Sequence, residues 1–159
     1  MITCTFENGG KASLRHVVAD NIIVKDGKIL LIKRAPKLIE GGKWGLIGGY
    51  MERDETILQT VERETLEEAG WKVKDITLMW INDNPNRPGE DRQNVVFAHF
   101  STPLEKVGEP DLESTEQKWF DLNNLPPDEE IAFDYTENIR IYKKYLKRPF
   151  PLPLVGVTS

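Results

Sequence analysis

Glu64, Glu67 and Glu68 stand at i, i+3 and i+4 of one stretch, so a helix there places all three carboxylates on one face. Like charges at that spacing cost a helix about 0.2–0.5 kcal/mol per pair. A hard divalent cation turns that cost into a binding site, because such ions take carboxylate oxygens. Arg63 reaches Glu67 at i+4 and can hold one of its oxygens. Taken alone, the three glutamates read equally as a solvated acidic face. Further along, the loop Asn82 to Gln93 offers two guanidinium groups, Arg87 and Arg92, near Pro85 and Pro88, and leads into a strand at Asn94. Arginine suits bidentate phosphate contact. The plain alternative pairs Arg87 and Arg92 with Glu90 and Asp91. Trp44 is either a stacking surface for a base or core.

These residues need elements to hold them. His16 to Val24 reads as a mostly buried strand, and Lys25-Asp26-Gly27-Lys28 as a turn returning to a second strand, Ile29 to Lys33. Trp44 to Ile47 is a short strand ending at Gly48-Gly49. The spacing predicts a helix over Asp54 to Ala69, capped by Thr56 with Gln59 and stopped by Gly70, with Leu58, Val61, Thr65 and Ala69 on its apolar stripe. Val73 to Ile81, Asn94 to Phe100 and Gln117 to Leu122 read as strands. A second helix is predicted over Asp128 to Leu146, with Ile131, Tyr135, Ile139 and Tyr142 on one face. The fold class is therefore α+β, a mixed sheet covered by helices. Pro149 to Ser159 is an apolar, Pro-rich tail that must pack on its own domain or on a twin chain.

The chain has 159 residues, of which 39% are apolar and 30% charged, values of an ordinary globular protein of one domain, 1–159. No apolar run approaches the roughly 18 residues of a membrane helix. Met1-Ile2-Thr3-Cys4 shows neither a basic nor an apolar leader region, which predicts no secretion signal. The lone Cys4 has no internal disulfide partner and favours a reducing, cytoplasmic setting. A net charge of −5 argues against a nucleic-acid partner. Such a chain can still take phosphates if metal ions bridge the repulsion.

Gly49, five residues, Glu55, seven residues, then Arg63-Glu64-Thr65-Leu66-Glu67-Glu68-Ala69-Gly70-Trp71 matches every fixed letter of the Nudix box. Seven fixed letters arise by chance roughly once in 10^8 start positions. The chain therefore resembles the Nudix hydrolases, most of all the ADP-ribose pyrophosphatase-like branch. Thr65 in place of an aliphatic residue and Ile47 in place of a common proline are departures. The resemblance implies an α/β/α sandwich and hydrolysis of a nucleoside diphosphate linked to another group, with Mg²⁺ or Mn²⁺. Carried over by position, Glu64, Glu67, Glu68 and the carbonyl of Gly48 are similar to metal ligands, and Glu55 and Arg63 to groups that orient them. Glu67, Glu64 and a later loop carboxylate are candidates for the general base. In Gly108 to Glu116 the preferred one is Glu113, ahead of Glu109 and Glu116, against a reading as a charged surface turn.

Substrate candidates follow from the same resemblance. Lys33-Arg34 is similar to a Lys-Arg pair near the nucleotide, and Asn82 to Asn94 partly resembles the loop that follows the box in ADP-ribose pyrophosphatases. Arg34, Trp44, Arg87, Arg92 and Asn94 are thus the expected substrate contacts. ADP-ribose or a nucleotide sugar is the leading substrate. A (d)NTP pyrophosphohydrolase is the alternative, and a sensor that binds without cleaving is the rival of another class. Many relatives dimerise, so a homodimer is a further expectation. Isopentenyl diphosphate isomerase shares the fold but needs a catalytic cysteine, for which Cys4 lies too near the N-terminus.

Overall fold

The computed structural model describes residues 2–87 and 93–156. β1 (Ile2–Thr5) and β2 (Lys11–Leu14) form an antiparallel hairpin of their own. Almost all of its residues are exposed, so its sequence carries no alternation that could announce it. The main sheet is built from β3 (Val17–Lys25), β4 (Lys28–Arg34), β5 (Trp44–Gly45), β6 (Ile47–Tyr50), β7 (Trp71–Asn82), β8 (Val95–Lys106), β9 (Ser114–Asp121) and β10 (Leu154–Val155). Its order is β10-β7-β8-β3-β4-β5, with β6 added to β3 and β9 to β4. The sheet is mixed: β3 runs parallel to β8 and antiparallel to β4 and β6.

Two helices, α1 (Ile57–Ala69) and α2 (Tyr135–Lys147), supply the covering layers. Alternation along β4 shows which face each takes. Ile29 and Leu31 enter the large core with Ile139, Ile141 and Tyr142 of α2, whereas Leu30 and Ile32 pack with Ala69 of α1. Both faces of the strand are buried, which is why it reads as a continuous apolar run. Among the described residues no helix is long and apolar enough to cross a membrane.

Several expectations shift. The second helix starts at Tyr135, not Asp128: Asp128–Glu130 is a single 3₁₀ turn, and Phe133 takes φ 51°, which no helix continues through. Pro126 and Pro127 precede that turn, and Ala132 N–H donates to the Trp44 carbonyl at 2.8 Å, so the segment is held by tertiary contact. On α1 the buried positions are Thr60, Val61, Thr65, Glu68 and Ala69, while Leu58 is 48% exposed. The helix is rotated because polar contacts fix it: the Asn21 amide donates to the Thr65 hydroxyl at 3.0 Å and the Gly48 N–H to Glu68 at 2.9 Å. Thr65, in place of an aliphatic residue, is thus a hydrogen-bond partner for β3. The tail packs on its own chain. Phe150, Leu152 and Leu154 meet the large core, β10 pairs parallel with β7, and Trp80 Nε1 donates to the Gly156 carbonyl at 2.8 Å.

Candidate active site

Local chemistry explains how α1 is aimed. Thr56 and Gln59 form a capping box at its start, and Gly70 closes it at φ 70°. A side chain on Gly70 would run into the Gly108 carbonyl, so glycine lets the following loop dock. Val107 and Gly108 donate to the Gly70 carbonyl, and Asp111 N–H donates to the Glu67 carbonyl at 2.9 Å. The loop bearing Asp111 and Glu113 is thereby stitched to the glutamate helix. At the other wall a Cβ on Gly49 would collide with the Glu64 carboxylate, and one on Gly48 with the Ala19 carbonyl. Two bare backbones are what allow Glu64 and β6 to approach so closely.

These elements enclose a cavity of about 600 Å³. Glu64, Glu67 and Glu68 line it, together with Gly48, Arg63, Arg34, Arg87, Asn94 and Glu113. Arg63 organises the α1 side: its Nε reaches Glu55 at 2.6 Å, Nη1 reaches Glu64 at 2.7 Å and Glu67 at 3.1 Å, and Nη2 donates to the Tyr50 carbonyl. The hydrogen bonds from Arg63 hold the Glu55 carboxyl down at about 2, and Glu55 in turn raises the guanidinium further. Burial works the other way on its neighbours. It raises Glu64, and it pushes Glu68 to about 8 despite the Gly48 N–H.

A second polar group lies on the α2 side. Arg87 donates to both oxygens of Asp134, with Nε to Oδ2 at 2.7 Å. The Asn82 amide also donates to Asp134, at 3.1 Å, and the Asn138 amide to the buried Asp20 at 3.1 Å. Burial raises Asp20 to about 7, with Arg87 opposing it.

Not every expected contact comes together here. Trp44 is corrected to a core residue: it is 7% exposed, packs edge-on against Phe120 at 4.8 Å and does not line this cavity. A flat apolar ring beside a sheet core gains more from burial than from waiting for a ligand. Glu109 is exposed and pairs with Lys106, and Glu116 faces solvent on β9; neither lines the cavity. Arg92 lies outside the described residues, as do Glu90 and Asp91, the partners considered for Arg87. Asp20, Asp111, Phe133, Asp134 and Tyr135 line or support the cavity without a sequence signal. Each acquires its place only through strand pairing or helix docking.

The donor set suits a hard divalent cation. Seven carboxylates line the cavity against four cationic side chains, so a phosphate-bearing ligand needs extra positive charge to enter. Burial also disfavours ionised Glu64 and Glu68, a penalty a bound cation would offset. Among the described residues no three His, Cys, Asp or Glu groups already converge on a metal position. Arg63 draws Glu64 and Glu67 to its own fork, and Gly48 holds Glu68.

The NUDIX domain model matches residues 14–140. An ADP-ribose pyrophosphatase of Methanocaldococcus jannaschii is 36% identical over 132 residues, covering 81% of this chain and 73% of the relative. A human 8-oxo-dGDP phosphatase is 29% identical over 143 residues, 87% of this chain but 42% of the longer relative. A NUDIX hydrolase crystal structure from Nitrosomonas europaea superposes with a TM-score of 0.79 at 26% identity, covering 99% of this chain and 93% of that one. The chain belongs to the NUDIX domain family and is a Nudix hydrolase. Members of that family generally use divalent metal ions.

Proposed function

We propose that this Nudix hydrolase cleaves ADP-ribose, or a closely related nucleotide sugar, at the pyrophosphate bridge. The carrying observation is the cavity itself: box carboxylates on one wall, apolar and aromatic side chains on another, in a chain 36% identical to an ADP-ribose pyrophosphatase. In this reading Glu64, Glu67, Glu68 and the Gly48 carbonyl would hold Mg²⁺ or Mn²⁺, while Glu55 and Arg63 fix the orientation of Glu64 and Glu67. Such a cation would supply charge neutralisation at the phosphate oxygens and a lowered pKa for a bound water. Glu113, on the loop docked at Gly70, accepts the proton of the attacking water. The water oxygen bonds to phosphorus, the bridging P–O bond breaks, and AMP and ribose 5-phosphate leave. Arg34 and Asn94 steady the substrate.

A panel of ADP-ribose, 8-oxo-dGDP, nucleotide sugars and (d)NTPs, each with Mg²⁺ and with Mn²⁺, tests the reading through the identity of the products. ADP-ribose giving AMP at the highest kcat/KM is the expected result. Preference for 8-oxo-dGDP, the substrate named for the human relative, or for (d)NTPs would overturn it.

A further inference from the structure

Arg87 lines the cavity and has the chemistry to hold a phosphate, yet its fork is already taken. Nε and Nη2 both donate to Asp134, the bidentate arrangement in which a guanidinium otherwise holds a phosphate. The side chain is 5% exposed, and Nη1 is shielded from solvent with no partner among the described residues. Asn82 donates a further bond to Asp134 and keeps the carboxylate in register with the fork. Arg87 and Asp134 thus match each other's charge, and Asp20 nearby adds another carboxyl. An anionic group placed beside Arg87 would meet carboxylates and find the fork taken; the other guanidinium on this side among the described residues, Arg34, lies over the Phe133 ring at 5.0 Å and gives its Nε to the Ile39 carbonyl. Val18, Val96, Phe133 and Tyr135 also line the cavity, apolar and aromatic surfaces that suit a flat, uncharged ring.

We propose that the α2 side of the cavity seats the uncharged nucleoside half of the substrate, and that Asp134 sets this by occupying the two Arg87 nitrogens a phosphate would take. The inference rests on the ADP-ribose reading above and adds to it an orientation and a specificity determinant. Asp134 acts through Arg87, as a positioning residue.

Its test compares kcat/KM for ADP-ribose with that for the same molecule carrying a 2′-phosphate on the adenosine ribose, using the full chain with Mn²⁺. Wild type should favour the unphosphorylated compound. Asp134→Asn frees the guanidinium and should shrink that preference about tenfold, because an unmet positive charge now attracts the added phosphate. The double variant Arg87→Gln/Asp134→Asn removes both charges and should return the ratio to within about twofold of wild type. Melting curves report whether each variant folds. An unchanged ratio in Asp134→Asn, or a relaxed ratio in the double variant, overturns the inference while leaving ADP-ribose as substrate. Should Asp134→Asn fail to fold, Asp134→Ser, which likewise removes the charge facing Arg87, is judged by the same criterion. Wild type cleaving neither compound sinks the substrate reading, and this inference with it; that outcome is visible before any variant is made.

Discussion

On the α1 side of the cavity, Glu55, Glu64 and Glu67 share one guanidinium, Arg63, and Glu68 has a backbone N–H for its donor. On the α2 side, Arg87 gives both forks of its donors to Asp134 alone. The first arrangement holds more carboxyls than cations, an excess that an incoming cation can balance. The second is balanced within the protein. A single cavity therefore has one wall whose electrostatics are completed by ligands and another completed by folding. That difference separates residues whose loss should stop chemistry from residues whose loss should loosen the structure.

The largest effect should come from the ligand-completed wall. Glu67→Gln is expected to lower kcat by about 10²–10⁴ with Mg²⁺. The Glu67 side chain is 52% exposed, so the melting temperature should hardly move. A fall in both would erase the distinction. Arg87→Met, on the other wall, leaves the half-buried Asp134 carboxylate without its cation and should cost about 3 kcal/mol. For a chain of this size, differential scanning calorimetry would show that as a drop of roughly 10 °C.

Dependence on pH sharpens the same contrast. Burial raises Asp20 from 3.8 to about 7 and Glu68 from 4.5 to about 8, so the folded protein keeps protons that the unfolded chain releases. Stability from these groups is present below about pH 4 and is lost as pH rises toward 8, on the order of a few kcal/mol. Urea titrations from pH 4 to 8 without added metal would reveal that slope, and Glu68→Gln should flatten it. Mn²⁺ should protect more at pH 8 than at pH 5, since it favours the ionised carboxyls. The smallest effect is expected from Thr65→Val, which strands the Asn21 amide beside Ser101 and should cost about 1–3 kcal/mol with little change in kcat. A loss of activity there would mean that the Asn21 contact aims Glu64 as well as stabilising the core.

Much of the α1 wall was legible beforehand because its parts are close in sequence. The capping box, the glycine stop and the Arg63 reach to Glu67 all fall within helical spacing, and i, i+4 geometry follows from the backbone alone. The α2 wall was not. Arg87 and Asp134 are 47 positions apart and Asp20 and Asn138 are 118 apart, so no periodicity connects them. Pairing of β3 with β8 and docking of α2 create those contacts. The overextended second helix and the misread Leu58 stripe have a related cause: apolar spacing reports which residues prefer burial, not which polar bonds fix the rotation or start of a helix.

What the residues determined unaided was the helix with its acidic face, the glycine that stops it, and the family to which that spacing belongs. Tertiary structure alone decided that Trp44 is core, that Asp111 and Glu113 share a wall with the box, and that Arg87 is matched to Asp134. The physical reason is range. Backbone geometry dictates neighbours within a turn or two, whereas partners from distant strands and helices are chosen by which buried charges and donors can be satisfied together once the sheet has closed.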